Sequence, residues 1–279
     1  MMPDTVAAGL PVFDAGGMDE DGKIALELFF DGGRYCGWQV QHNAVSVQQR
    51  LQDALEAALG FRPDVCGCSR TDAGVHANSY VCHIDAKGVT IPLGKLPLAV
   101  NAHLRGEGIV VKKAAAADKD FHARYSCAGK EYVYLLWNAP YDNPFLRGRC
   151  FHYPIAVDET KLDFFGAELV GRHDFKSFMA KGSKIVEDTV RTVYDFSVTR
   201  ENELLTLRVS ADGFLYNMVR IITGTYLAAA AGRYGKGDIS RVIRAKDRRA
   251  AGDTAPACGL YLNKVYYPMG GKTTWQENF

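Results

Sequence analysis

The chain has 279 residues, 47% of them hydrophobic and 23% charged, which is enough for a sizeable globular core and excludes a disordered or fibrous protein. Lys and Arg total 33 and Asp and Glu total 32, so the net charge of +1 disfavours a histone-like nucleic-acid binder. Residues 1–22, however, carry five acidic and no basic side chains, and the rest of the chain therefore has a net charge of +6. This mildly basic remainder is compatible with nucleic-acid binding.

The seven cysteines are dispersed and form no C-x-x-C pair, which indicates neither a disulfide framework nor a zinc knuckle. Scattered thiols are typical of a reducing compartment. The N-terminus lacks the basic region followed by an apolar region that is typical of a signal peptide. No apolar stretch approaches the roughly 20 residues that span a bilayer. We therefore expect a soluble cytoplasmic protein that makes no membrane contact.

The first predicted elements are a tail, a strand and a helix. Residues 1–22 are rich in Gly, Ala and acid and lack periodicity, so we expect a disordered acidic tail. Alternating apolar residues over 23–30 predict the first strand. Ser46 and Gln49 form a capping box, and the apolar periodicity that follows predicts a helix ending at Gly60.

The later elements follow from the same periodicities. In chain order they are a strand over 80–85, a crossover at 111–118, a strand over 132–137, a helix over 162–170, strands over 190–198 and 205–209, and a helix over 215–231. Such mixed runs point to an α+β fold with antiparallel pairing rather than a doubly wound sheet. We expect an N-terminal half over 23–117 and a C-terminal half over 118–279.

Several common cofactor and catalytic motifs are absent from the sequence. It contains no P-loop, no dinucleotide-binding G-x-G-x-x-G, no H-E-x-x-H zinc motif and no G-x-S-x-G elbow. We therefore expect chemistry that needs no bound cofactor and no metal.

The densest polar segment is C-S-R-T-D-A-G-V-H, residues 68–76. Asp72 is consistent with a turn residue, because short polar side chains accept local backbone hydrogen bonds and Gly74 allows a positive φ. Arg70 and His76 lie in the same segment, and a carboxylate beside a fixed cation stays ionised and can act as a nucleophile or base. The residues alone leave both interpretations open.

The R-T-D-A-G-V-H of residues 70–76 resembles the catalytic loop of the TruA family of pseudouridine synthases, G-R-T-D-A-G-V-H, with Ser69 in place of the first Gly. Further segments resemble the family in the same order. They are D-G-G-R-Y-C-G-W-Q (31–39) with Gln41, D-F-H-A-R-Y-S (120–126), K-E-Y-V-Y (130–134), G-R-H-D-F-K-S-F (171–178), F-L-Y-N-M-V-R (214–220), G-L-Y-L (259–262) and V-Y-Y-P (265–268). The resemblance spans about residues 23–268.

This resemblance implies the pseudouridine synthase fold, with two halves and an extended mixed or antiparallel sheet around a central active-site cleft. The implied activity is isomerisation of uridine to pseudouridine in the tRNA anticodon stem-loop, at positions 38, 39 and 40, with base flipping and no cofactor. The implied partners are tRNA and a second copy of the chain.

The implied catalytic residues are Asp72, Tyr132, Arg220 and Arg70. Asp72 is the essential aspartate and Arg220 its basic partner. Tyr132 would stack on the uracil and help to remove the C5 proton, and Arg70 is suited to fill the space that the flipped base leaves. Asp72 could attack ribose C1′, attack pyrimidine C6 or abstract a ribose proton to give a glycal. The implied RNA contacts are Arg34, Gln39, Gln41, His76, Arg124, Lys130 and Asn217.

Other interpretations stay open on the sequence alone. Tyr132 also fits a half-buried strand aromatic and Arg220 a surface cation, whereas we expect Trp38 to pack a loop onto the core. A protein of the same scaffold that binds RNA without catalysis is one alternative, and a synthase with a different RNA target is another. An aspartate phosphotransferase is disfavoured, because no D-x-D arrangement surrounds Asp72.

Overall fold

The computed structural model describes residues 6–8, 21–182 and 187–268. Its elements in chain order are β1 (Val6–Ala8), β2 (Lys23–Phe30), α1 (Val47–Leu59), β3 (Cys66–Gly67), β4 (His76–Asp85), α2 (Leu96–His103), β5 (Ile109–Ala117), β6 (Gly129–Trp137), β7 (Phe151–His152), α3 (Asp163–Leu169), β8 (Gly171–Asp174), β9 (Val190–Glu201), β10 (Leu204–Ala211), α4 (Met218–Ala230), α5 (Asp238–Ala245) and β11 (Leu260–Pro268).

The chain divides into two compact units. Of the described residues, the first unit contains 6–8, 21–130 and 261–268, and the second contains 131–182 and 187–260. Residues 118–130, which the sequence-based division assigned to the C-terminal half, lie in the first unit. The reason is packing: Phe121 contacts the Tyr267 ring, and the Ala123 N–H donates to His83 Nδ1 at 3.1 Å.

The first unit is built on the strand order β5-β2-β4-β11. β2 pairs antiparallel with both β4 and β5, whereas β11 lies parallel to β4. β2 and α1 have the predicted bounds, and Ser46 Oγ accepts the Gln49 N–H at 3.2 Å as the capping box requires. Gly60 ends the helix with a φ of 80°.

Three features of the first unit differ from the sequence-based expectations. The predicted crossover at 111–118 is wrong, because β5 pairs there along β2, with alanines opposite Leu26 and Ile24. Helix α2 was not predicted. Residues 6–8 of the expected tail form β1, which pairs antiparallel with β11, and residues 1–5 and 9–20 lie outside the described residues.

The second unit contains the strand order β6-β10-β9-β8, with β7 parallel to β6. The strands predicted over 190–198 and 205–209 are observed as β9 and β10, which run further than predicted and pair antiparallel. α4 was also predicted, although the helix begins at Met218 rather than three residues earlier. The rings of Phe165, Phe196 and Tyr226 meet between α3, β9 and α4 and form part of the core. Helix α5 was not predicted.

The predicted α+β class with mixed pairing is confirmed. Within the described ranges, no helix combines the length and the apolar character needed to cross a membrane.

Candidate active site

Residues 68–75 connect β3 to β4 and carry Arg70 and Asp72; we call them the Asp72 loop. β4 begins at His76 rather than at the predicted residue 80, so the loop is shorter than the sequence indicated. The Val75 N–H donates to the Asp72 carbonyl at 3.2 Å and closes a turn in which Gly74 has a φ of 80°. At the other end, the Tyr80 hydroxyl donates to the Ser69 carbonyl. The start of the loop is therefore hydrogen-bonded to β4, and its end is closed by an internal turn.

A second loop, residues 31–38, packs backbone to backbone against the Asp72 loop. The Trp38 N–H donates to the Thr71 carbonyl at 3.2 Å, and the Gly74 N–H donates to the Tyr35 carbonyl at 3.2 Å. These bonds lie on either side of Asp72 and hold its backbone in one position.

Two glycines make this close approach feasible. A Cβ on Gly32 would fall under 3.0 Å from the Val75 carbonyl oxygen, and a Cβ on Gly37 would fall under 3.0 Å from the Thr71 carbonyl oxygen. Gly37 also has a φ of 82°, which side chains other than glycine rarely adopt. The spacing G-x-x-x-x-G in residues 32–37 thus follows from backbone contact with the Asp72 loop.

Residues 31–38 also form hydrogen bonds with a third segment, residues 107–108. The Asp31 N–H donates to the Gly108 carbonyl at 2.8 Å, and the Tyr35 hydroxyl donates to the Glu107 carbonyl at 2.6 Å. Burial and the nearby Glu107 carboxylate raise the pKa of Tyr35 to about 12, so its hydroxyl remains a donor. Trp38 is buried and stacks on Tyr80 at 4.1 Å, which confirms the expectation that it packs the loop onto the core.

His76 is buried, with 1% of its surface exposed, and stacks on Tyr261 at 4.6 Å. Its Nδ1 lies 3.1 Å from both the Gly32 nitrogen and Asp31 Oδ1. A backbone N–H can only donate, so Nδ1 accepts from Gly32 and the carboxylate takes its own bond from the Gly33 N–H at 2.9 Å. We infer that His76, an expected RNA contact, fixes the two loops in this structure.

The other expected RNA contacts of the first unit lie at its surface. Arg34 donates to the Gly106 carbonyl, Gln39 bonds Gln48 Oε1 at 3.0 Å, and Gln41 bonds the Cys36 carbonyl at 2.7 Å. These three side chains and that of Arg124 are exposed, and that of Lys130 is half-buried.

Tyr132 lies in β6 of the second unit and is buried, with 6% of its surface exposed. Phe214 packs against its ring edge to face, with centroids 5.0 Å apart. The ring is thereby held in a fixed orientation, which suits both a packing role and a stacking role.

Arg220 lies in the first turn of α4, where two hydrogen bonds orient its guanidinium. Its Nε donates to the Ala255 carbonyl at 2.7 Å, and its Nη1 donates to Asn217 Oδ1 at 3.0 Å. Asn217 precedes the helix with a φ of 59°, a left-handed conformation that Asn tolerates better than most residues. Asn217, an expected RNA contact, therefore positions Arg220, a role that its place in the sequence did not indicate.

Cys66, His83 and His122 bring three ligand-type atoms within 4.8 Å of one another. Burial lowers the pKa of His83 to about 4 and also lowers that of His122, so both rings are neutral. His83 Nδ1 accepts the Ala123 N–H, and His122 Nδ1 accepts the N–H groups of the two residues after Ala123. Each neutral ring then carries its proton on Nε2. His122 Nε2 lies 3.3 Å from Cys66 Sγ, and this arrangement fits hydrogen bonding better than metal coordination.

Several supports of the site were missed by sequence reasoning. Glu107, Ala255 and Tyr261 contact site residues that lie 35 or more positions away in sequence, and no local sequence pattern predicts such contacts.

Comparison with known proteins gives consistent matches. A family model described as tRNA pseudouridine synthase matches residues 167–268. The tRNA pseudouridine synthase A of Ruminiclostridium cellulolyticum is 42% identical over 248 residues, covering 88% of this chain and 99% of that protein. Proteins of the same name from Thermoanaerobacter sp. (strain X514) and Bacillus licheniformis are 41% and 42% identical over 247 residues, with the same coverage. A chain of the solved Cbf5-Nop10-Gar1 complex matches with a TM-score of 0.36 and 12% identity over 76% of this chain and 45% of that chain, a distant likeness.

Proposed function

The chain belongs to the tRNA pseudouridine synthase A family and is an isomerase, and from this premise we propose that it converts uridine to pseudouridine in tRNA. In this reaction the bond from ribose C1′ to N1 of uracil breaks, and a bond from C1′ to C5 forms. The C5 hydrogen leaves as a proton and N1 of the uracil ring takes up a proton, so substrate and product are isomers and neither net oxidation nor hydrolysis occurs. Acid–base or nucleophilic side chains are therefore sufficient for the chemistry.

We propose Asp72 as the essential carboxylate. The observation that carries this assignment is the backbone clamp: residues on both sides of Asp72 are bonded to residues 31–38, and Gly32 and Gly37 allow the two backbones to touch. A group fixed before the substrate arrives loses little entropy when the reaction begins. Attack on C1′, attack on C6 and abstraction of a ribose proton all remain compatible with this role.

The proposed roles of the other residues follow the family resemblance. Tyr132 stacks on the uracil and assists removal of the C5 proton, and its fixed ring orientation supports this role. Arg220 is the basic partner of Asp72, with Asn217 as its positioning residue. Arg70 is exposed and fills the space that the flipped uridine leaves, which offsets part of an unstacking cost of a few kcal/mol.

The finer aspects of the function are also proposals. The expected targets are uridines 38, 39 and 40 of the anticodon stem-loop, in a cytoplasmic reaction carried out by a homodimer. Arg34, Arg124 and Lys130 would contact phosphates, so tRNA affinity would fall steeply with salt. Sedimentation at micromolar concentration tests the dimer, and sequencing of modified tRNA tests the target positions.

Replacement of Asp72 by Asn tests the central claim. We expect Asp72→Asn to lower pseudouridine formation by at least about 10³-fold, because the amide can act neither as base nor as nucleophile. Release of tritium from tRNA labelled at uridine C5 measures turnover, and filter binding measures tRNA affinity, which should be retained.

The matched control is Asp64→Asn, which changes an exposed carboxylate of the same unit outside the proposed site. Turnover by Asp72→Asn at the rate of this control would refute the assignment. A wild-type chain that binds tRNA and releases no tritium would instead favour the RNA-binding alternative.

A further inference from the structure

Tyr125 lies in the turn after β5 and is 78% exposed, which makes it the most exposed of the large hydrophobic side chains described in the first unit. Arg124 precedes it, and its guanidinium carbon lies 5.9 Å from the Tyr125 ring centroid. Large aromatic rings are normally at least half-buried, so one held in solvent beside a cation points to a binding surface.

The turn that carries these residues is closed by hydrogen bonds. His122 Nδ1 accepts the N–H groups of Arg124 and Tyr125 at 3.1 and 3.2 Å. The His122 N–H donates to Ser126 Oγ at 3.1 Å, and the Ser126 N–H returns a bond to the His122 carbonyl at 2.9 Å. These bonds fix the backbone that presents both exposed side chains.

One face of the Tyr125 ring packs on the ring of His122. It lies 4.3 Å from the His122 ring at an interplanar angle of 33°. His122 is itself held by Cys66 Sγ at 3.3 Å and packs edge to face against His83 at 5.1 Å. The cluster of Cys66, His83 and His122 therefore supports the exposed ring of Tyr125.

We propose that Arg124 and Tyr125, together called the Arg124–Tyr125 ledge, bind the tRNA substrate by stacking an unpaired base on Tyr125 and pairing Arg124 with a phosphate. This inference rests on the proposed function. An aromatic face beside a guanidinium matches a nucleotide, which presents a flat base and an anion a few ångströms apart. Cys66 pairs with His83, which lies seven positions along β4 from His76, and Cys66 itself precedes Asp72 by six positions in the chain. On this proposal the ledge contributes to tRNA affinity and not to the chemical step.

The test separates binding from chemistry with variants of Tyr125. We expect Tyr125→Ala to raise both the Kd and the KM for unmodified tRNA about tenfold, a typical effect of removing one base–aromatic stack, while kcat at saturating tRNA stays within about twofold. Tyr125→Phe keeps the ring and should retain wild-type Kd and KM. Arg124→Ala should weaken binding and lower the slope of log Kd against log salt by about one.

Leu98→Ala is the matched control, because Leu98 is 74% exposed in the same unit and cannot stack on a base. It should leave Kd, KM and kcat unchanged. Circular dichroism melts confirm that every variant is folded. As a direct readout, tRNA substituted with 5-iodouridine should crosslink to wild type and to Tyr125→Phe under near-ultraviolet light, and the adduct should map to residue 125.

The proposal is overturned if Tyr125→Ala binds tRNA as well as Leu98→Ala does, if Tyr125→Phe is as weak as Tyr125→Ala, or if no adduct forms at residue 125. Failure of the ledge is distinguishable from failure of the proposed function. In the first case wild type releases tritium from tRNA and the ledge variants behave like it, whereas in the second case wild type releases none.

Discussion

Replacement of Gly37 by Ala is expected to move the Asp72 loop. The new Cβ would fall under 3.0 Å from the Thr71 carbonyl oxygen and 3.1 Å from the Asp72 carbonyl carbon. A carbon–oxygen contact needs about 3.3 Å, and the neighbours are backbone atoms, so the two loops must separate by up to about 1 Å. A misplacement of about 1 Å in a catalytic group can cost about 10²-fold in rate.

Gly37→Ala also introduces backbone strain, because Gly37 has a φ of 82°. Alanine in the left-handed region costs about 1–2 kcal/mol of stability. Two further variants separate strain from overlap. Gly60 has a φ of 80°, and no heavy atom lies within 4 Å of the position that its Cβ would take, so Gly60→Ala carries the strain alone. Gly32 lies outside the left-handed region and its Cβ would overlap the Val75 carbonyl, so Gly32→Ala carries the overlap alone.

The assay combines urea unfolding with tritium release from labelled tRNA. Gly60→Ala should lose about 1–2 kcal/mol of unfolding free energy and keep the wild-type kcat. Gly32→Ala and Gly37→Ala should both lower kcat by about 10²-fold while remaining folded. If Gly37→Ala turned over within about twofold of Gly60→Ala, the contact between the two loops would not position Asp72, and the clamp argument would fail.

Two further predictions concern other parts of the protein. Asn217→Ala and Asn217→Gly should both lower kcat because Arg220 loses one of its two acceptors, but only Asn217→Ala should also lose about 1 kcal/mol to left-handed strain. Asn217→Asp, which keeps the acceptor, serves as the control. A wild-type kcat in Asn217→Gly would contradict the positioning role. Burial lowers the pKa of His83 from its ordinary value of 6.5 to about 4 in the folded chain, so the unfolded state binds more protons between these pH values. The free energy of unfolding should therefore fall as pH drops from 6.5 towards 4, by at most about 1.4 kcal/mol per pH unit from this group. In His83→Gln, the free energy of unfolding measured with urea should depend less steeply on pH over this range. An unchanged pH dependence in that variant would show that other groups cause the loss of stability below pH 6.5.

The elements that could be predicted from sequence are those whose signal is local. β2 alternates apolar residues on one face, and α1 carries its own cap and its own terminating glycine, so both have the predicted bounds. β5 could not be recognised, because its alanines are weak strand formers and only pairing with β2 makes them a strand. Residues 6–8 form β1 for the same reason, since their partner β11 lies some 260 positions away.

The candidate site divides in the same way. The Asp72 loop was identifiable because its motif is contiguous, and Trp38 was correctly expected to pack. The environments of His76 and Asn217 were not predictable, since burial of His76 depends on Tyr261 and the Asn217 bond depends on the helix start. Motif position indicates that a residue belongs to a site, but the distant contacts decide whether its side chain faces the solvent or holds a neighbour.

The parallel pairing of β11 with β4 has a consequence for how the protein is made. Tyr261 and Leu262 lie opposite His76 and Ala77, so β4, which follows the Asp72 loop, lacks its parallel neighbour β11 until the ribosome has synthesised almost all of the described chain. His76 gains its stacking partner, and β4 its parallel ladder, only at that late stage. A nascent or prematurely terminated chain therefore carries the Asp72 sequence without the finished support of its loop, and only a nearly complete polypeptide can assemble that support.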